Sequence, residues 1–168
     1  MDYQKQAEEF LSEANASMKI DYVGEAVNQN WKEDTLRPLY EVTIFTPRGH
    51  MSFKFWDSIH NLQIMRMSLK AYAEKRYNLQ FHELTTDEIA NAKSELEEKK
   101  NKAHPTPYDV LACMQKYDPE TFEEFCSEFG YDEDSRSAER IYIGAMREYK
   151  QLSRIFSEEE MEKLRQIE

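Results

Sequence analysis

The sequence predicts an α+β fold: a small antiparallel sheet of about three strands, followed by a mainly helical C-terminal unit. Three observations carry this expectation. On both sides of a Pro/Gly turn within 40–55, apolar residues alternate with polar ones, the pattern of a half-buried hairpin. Beyond residue 57, large apolar residues recur every three or four positions, the period of an amphipathic helix. Helix-start signals punctuate that second part, including Thr85 with Glu88 and Ser157 with Glu160 at the spacing of a capping box.

The elements follow in order. Tyr3, Ala7, Phe10, Leu11 and Ala14 form one stripe, which predicts a first helix ending near Asn15. Met18, Ile20 and Tyr22 alternate with smaller or polar neighbours and predict a strand, and "NQNWKEDTLRP" reads as a loop. Tyr40, Val42 and Ile44, then Met51, Phe53 and Phe55, predict the hairpin, with Pro47 and Gly49 supplying its turn. The stripe Leu62, Met65, Leu69, Tyr72 and Ala73 predicts one helix from 57 to about 76. A further helix over 85–102 has a thin apolar face and two four-apart Glu/Lys pairs, Glu95 with Lys99 and Glu98 with Lys102, so it is expected to be an exposed arm.

The C-terminal unit is marked by caps. Thr106 with Pro107 predicts a helix that turns Val110, Leu111, Met114 and Tyr117 inward, and Asp118 with Pro119 predicts the next. There Phe122, Phe125, Cys126 and Phe129 face inward, and Gly130 suits the left-handed end. "DEDS" opens a long helix with Ala138, Ile141, Tyr142, Ala145, Tyr149, Leu152 and Phe156 on one side. A terminal helix runs through Leu164. The expected organisation is one domain over 1–168: helix plus antiparallel sheet over 1–59, a helical insertion over 60–103, and a helical C-terminal unit over 104–168.

Composition narrows the function classes. The 168 residues carry 33% charged and 40% hydrophobic residues, which suits a solvated exterior around a core that needs no metal or disulfide. The net charge of −11 is concentrated at the end: 105–168 holds 16 acids against 8 bases, and 1–104 holds 17 against 14. That balance opposes nucleic-acid backbones and favours basic surfaces. No apolar run has membrane-spanning length and the start is polar, so no membrane association and a cytoplasmic location are expected. Cys113 and Cys126 sit on apolar stripes and are expected to be buried, reduced thiols.

Candidate chemistry is sparse. His50, His60, His82 and His104 stand at no metal-ligand spacing, and four glycines provide no phosphate cradle, so neither metal nor cofactor is expected. "DEDS" opens like a calcium loop but has Ser137 at the sixth place and Ile143 at the twelfth. A catalytic site would have to be assembled from Cys113, His104 and neighbouring acids; the chain is read as non-enzymatic. Two surfaces remain. The acidic one comprises Asp118, Glu120, Glu123, Glu124, Glu128, Asp132, Glu133 and Asp134, with no Lys or Arg between them. The alternative is a basic face of Arg66, Lys70, Lys75 and Arg76. Amphipathic helices must put something polar outward, so a solvated exterior competes with function in both cases.

The segment "PTPYDVLACMQKYDPETFEEFCSEFGYDEDSRSAERIY", followed by "FSEEEMEKLRQI", resembles the C-terminal half of small bacteriophage- and prophage-encoded proteins. "RPLYEVTIFTPRGHMSFKFWDSI" is similar to their hairpin segment, and 60–103 then stands as an insertion. The resemblance implies a mobile-element origin and maps no catalytic residues. With it, the expected function is inhibition of a host defence nuclease complex, of anti-CRISPR or anti-restriction type, by acidic nucleic-acid mimicry in the host bacterial cell. The expected partner is a host protein with a basic nucleic-acid-binding groove, such as a CRISPR effector, with no direct nucleic-acid contact. The alternative is a small nucleic-acid-binding or regulatory protein using the basic face.

Overall fold

The computed structural model describes residues 2–28 and 35–168. Helix α1 (Tyr3–Glu13) leads into strands β1 (Ser17–Ala26), β2 (Arg37–Thr46) and β3 (Gly49–Trp56). Helices α2 (Ile59–Arg66) and α3 (Leu69–Tyr77), a single 3-10 turn (Phe81–Glu83) and helix α4 (Thr86–Lys102) follow. Helices α5 (Pro107–Cys113), α6 (Phe122–Phe129), α7 (Arg136–Ile155) and α8 (Glu158–Arg165) complete the chain. The α+β class expected from the alternating hairpin and the helical remainder is what the protein has.

The three strands pair antiparallel in the order β1-β2-β3. Their register sets the apolar residues in rows across the sheet: Met18–Ile44–Met51, Ile20–Val42–Phe53 and Tyr22–Tyr40–Phe55. Because side chains alternate between faces, each row lies on one side, and cross-strand neighbours pack directly. A bulge between Tyr22 and Gly24 shifts the register near the far end of β1, where Gly24 has φ +148°. At the hairpin tip Thr46 pairs with Gly49, whose φ of +146° is the positive angle expected there. Most of the loop expected at 28–38 lies outside the described residues, and Arg37 and Pro38 already belong to β2.

The apolar face of the sheet is covered by α1, α5, α7 and α8. Val42, Ile44 and Met51 are buried together with Phe10, Leu11, Leu111, Leu152, Phe156 and Leu164. A second, smaller group of buried residues lies elsewhere: Tyr72 and Ala73 of α3 against Leu84 and Ala92 and Leu96 of α4. The thin apolar face of α4 is therefore used. Its capping box, Thr85 with Glu88, forms as the spacing predicts, as does that at Ser157; Thr106 caps its helix as expected and also closes a capping box with Asp109.

Several local expectations are corrected. The single helix over 57–76 is two, because Met67 is extended (φ −66°, ψ 128°) and the Ser68 side chain accepts from the Ala71 amide to start α3. Helix α6 begins at Phe122 with Thr121 as its cap, rather than at Asp118 with Pro119. Tyr117 and Phe129, expected inward, are 58% and 52% exposed. Glu95 does not pair with Lys99; it accepts from Tyr72 Oη at 2.8 Å and pairs with Arg76 at 3.3 Å. Glu98 does pair with Lys102, at 2.8 Å. Cys126 is buried as expected, but Cys113 is exposed. No helix among the described residues is long and apolar enough to cross a membrane.

Candidate functional site

The eight carboxylates of the acidic set lie on helix α6 and the segments on either side of it, and four of them, Asp118, Glu120, Glu124 and Glu128, line one hollow. Asp118 and Glu120 lie in the segment that leads to α6; Glu123, Glu124 and Glu128 lie on α6; Asp132, Glu133 and Asp134 lie in the turn that joins it to α7. All eight are exposed. None takes part in an ion pair among the described residues, so their charge is not cancelled locally.

Local sequence explains this placement. Thr121 accepts from the Glu124 amide and fixes the start of α6, where acids in the first turn also complement the positive end of the helix. Gly130, at φ +71°, ends the helix in the left-handed conformation, and its neighbour Tyr131 donates its amide to the Cys126 carbonyl at 2.9 Å. Beyond it Asp132 accepts from the Asp134 amide at 3.1 Å, and Ser135 caps α7. The acids are thus displayed on a backbone pinned at both ends of the helix.

Aromatic rings are mixed with the acids. Phe125 is buried, with Phe129 at 4.9 Å between ring centroids, Tyr131 stacked at 5.7 Å and Tyr142 of α7 at 5.5 Å. Phe129 and Tyr131 are exposed, and Tyr117, also exposed but with the Arg165 guanidinium 5.9 Å over its ring, lines with Phe129 a hollow of about 330 Å³ that Glu120, Glu124 and Glu128 share. A hollow with carboxylates at its edge and rings in its wall suits a guanidinium or ammonium group, which gains both charge pairing and cation–π attraction. Sequence reasoning found the acids and missed these rings. The helical spacing of Phe122, Phe125 and Phe129 signals an inward stripe, while the position of Phe129 in the last turn, one residue before the glycine, is the one hint that it overhangs.

The alternative basic face is weaker than its four residues suggest. Arg66 makes a two-pronged ion pair with Glu25 of β1, its Nε donating at 2.9 Å and its Nη2 donating to the other oxygen. Arg76 is held by Glu95. Lys70 and Lys75 are exposed and pair with no carboxylate among the described residues. The break at Met67 also divides the set between two helices.

Cys113 and His104 line the same hollow of about 400 Å³, with Asp57 and Asp109. Sequence distance gave no reason to join them. His104 Nδ1 lies 3.5 Å from Tyr40 Oη, and no side chain among the described residues hydrogen-bonds the Cys113 thiol. Although the residue is exposed, partial desolvation of the thiol, and then the charge of Asp109, push its pKa up, which favours the protonated form over the nucleophilic thiolate. Cys126 is pushed up in the same way, by burial and then by Glu133. Among the described residues no three His, Cys, Asp or Glu side chains form a group able to hold a metal ion.

Compared with protein-family models, curated proteins and solved structures, the chain matches none.

Proposed function

We propose that this protein is a non-enzymatic, phage-encoded inhibitor of a host defence nuclease complex, of the kind that blocks CRISPR effectors or restriction enzymes. Its acidic α6 surface occupies a basic groove in which the nuclease would otherwise hold nucleic acid. One observation carries this reading: eight exposed carboxylates, free of ion pairs among the described residues, lie on a pinned helix and its flanking segments, and Asp118, Glu120, Glu124 and Glu128 share a hollow with the exposed ring of Phe129. A solvated exterior accounts for acids alone. It does not account for Phe129 and Tyr131 being left exposed among them, since exposed aromatics clustered with charge are typical of interface anchors.

The rings also adjust the mechanism. Pure mimicry of a phosphate backbone needs only regularly placed negative charge. Rings beside the carboxylates add contacts for Arg side chains, so the surface reads as a protein interface that exploits a nucleic-acid groove by competitive occupation, with no turnover.

The test is inhibition of DNA cleavage by a purified CRISPR effector or restriction nuclease, with wild-type protein and with the variant E120K/E123K/E124K/E128K. Wild type inhibits, more weakly as salt rises, and the variant does not, although it remains folded and unfolds cooperatively. Equal inhibition by the variant overturns the assignment to α6. Strong DNA or RNA binding by the isolated protein in a low-salt gel shift favours the alternative, a nucleic-acid-binding protein that uses Lys70 and Lys75.

A further inference from the structure

A cleft of about 660 Å³ opens between α2, α3 and α4, within the usual range of small-molecule sites, roughly 300–1,000 Å³. It shares no residue with the acidic surface. Its apolar lining is aliphatic or thioether in character: Ile64 of α2, Met67 at the break between α2 and α3, and Leu96 of α4 with Ala103 just beyond it. Cations stand around this lining. Lys75 and Arg76 come from the last turn of α3, and Lys99 and Lys102 from the last turn of α4. In a chain of net charge −11 this is a local reversal of sign.

Cations in a last helical turn complement the negative end of the helix, and that accounts for their presence on each helix separately. It does not account for two such turns converging on one apolar hollow. Nor are the charges fully answered there. Arg76 is held by Glu95 and Lys102 by Glu98, but Lys75 and Lys99 pair with no carboxylate among the described residues. Lys99 instead lies 4.9 Å over the ring of Tyr72. That contact occupies a face of the Tyr72 ring; the His60 imidazole is the other ring among the described lining residues, and Ile64, Met67 and Leu96 form an aliphatic and thioether surface beside the unanswered positive charge.

We infer that this cleft binds a small amphipathic anion, an aliphatic chain ending in a carboxylate, with the chain on Ile64, Met67 and Leu96 and the carboxylate between Lys75 and Lys99. Met67 suits the lining because its flexible thioether adapts to chains of different length. A nucleic acid fits less well, because its backbone would pass close to Glu95 and Glu98, which hold Arg76 and Lys102.

The experiment is an amide-resolved NMR titration of the whole protein with sodium decanoate, and separately with decyltrimethylammonium bromide and with inorganic phosphate. Decanoate produces saturable shifts confined to residues 60–76 and 96–103, and the other two probes do not. The variant K75E/K99E binds decanoate at least tenfold more weakly. If losing the Lys99–Tyr72 contact lowers the unfolding temperature, K75E alone decides, since Lys75 is exposed and holds no partner among the described residues. No saturable decanoate shift, unchanged affinity in the variant, or shifts spread over α6 each overturn the proposal. So does equal binding of the cationic detergent, which marks a greasy surface only, or of phosphate, which marks an anion site without the chain. None of these outcomes measures nuclease inhibition, which the acidic-surface variant tests on its own, so failure here is separable from failure of the inhibitor reading.

Discussion

The hydroxyl of Thr46 donates to the carbonyl of Ile155 at 2.9 Å, which ties the tip of the hairpin to the end of α7 across 109 positions of sequence. The last carbonyls of a helix have no partner within it, so this bond answers one that would otherwise need water. The same oxygen accepts from the Arg48 amide at 3.2 Å, so the turn and the helix end are held through one side chain. Thr46→Val keeps the shape and removes the donor. Because the acceptor for the Arg48 amide goes with it, the change is expected to lower stability by about 1–3 kcal/mol in urea unfolding, the net worth of two such bonds, without changing the slope of the transition. An unchanged midpoint would mean that solvent replaces Thr46 at no cost.

Ser68 marks where sequence reading of the fold stopped being sufficient. The stripe Leu62, Met65, Leu69, Tyr72 and Ala73 keeps helical spacing across the break, so periodicity alone cannot see it. A capping residue is the remaining signal, and Ser68 accepts from the Ala71 amide at 3.2 Å while Met67 turns extended. Ser68→Ala is expected to cost about 1 kcal/mol, measured by chemical unfolding. Because Met67 lines the cleft, the same variant should also shift decanoate affinity if the break sets the position of that side chain.

The sheet was legible because alternation and turn chemistry agreed; its register, with Tyr40 opposite Phe55 and Ile44 opposite Met51, is a finding of the structure. The aromatic part of the acidic surface was not. Spacing reports which side of a helix is apolar, but not how far a partner helix extends beneath it. Phe125 and Phe129 share one stripe of α6, yet one is buried and the other is 52% exposed. Substitutions separate them. Phe125→Ala is expected to cost about 3–5 kcal/mol, as a filled core site emptied. Phe129→Ala should cost only about 1 kcal/mol, the scale of a lost ring pair, while weakening nuclease inhibition at least tenfold. Retained inhibition in Phe129→Ala would remove the rings from the mechanism.

Salt dependence distinguishes the two ways in which the acidic surface could engage a partner. If carboxylates alone replace phosphates, inhibition should fade steeply between low and physiological salt, since exposed charges are screened over about 8–10 Å. With Phe129 and Tyr131 seated against the partner, a residue of apolar contact survives screening, and inhibition should decline and then level off. The comparison of wild type with Phe129→Ala across a salt series reads this directly: the variant is expected to lose the plateau.

Glu148 provides a test of the core that does not depend on any partner. It sits on α7, in the wall of a cleft of about 590 Å³ shared with β3 and α5. Burial raises its pKa above the ordinary value of 4.5, and a backbone hydrogen bond from Gln115 only partly opposes this. A carboxyl whose folded pKa is raised holds its proton longer in the folded protein than in the unfolded chain. Between the two values the folded state therefore binds more protons, and stability falls as pH rises through that window. Above it the full cost of keeping a buried charge remains. Glu148→Gln keeps an acceptor for the Gln115 amide and removes the charge, so it is expected to raise the unfolding temperature at pH 7. The gain should shrink as pH falls and vanish once Glu148 is protonated in both states, below 4.5. Because the other acids titrate equally in both proteins, the difference between the two melting curves isolates this one group. A gain independent of pH would assign the effect to packing rather than to charge.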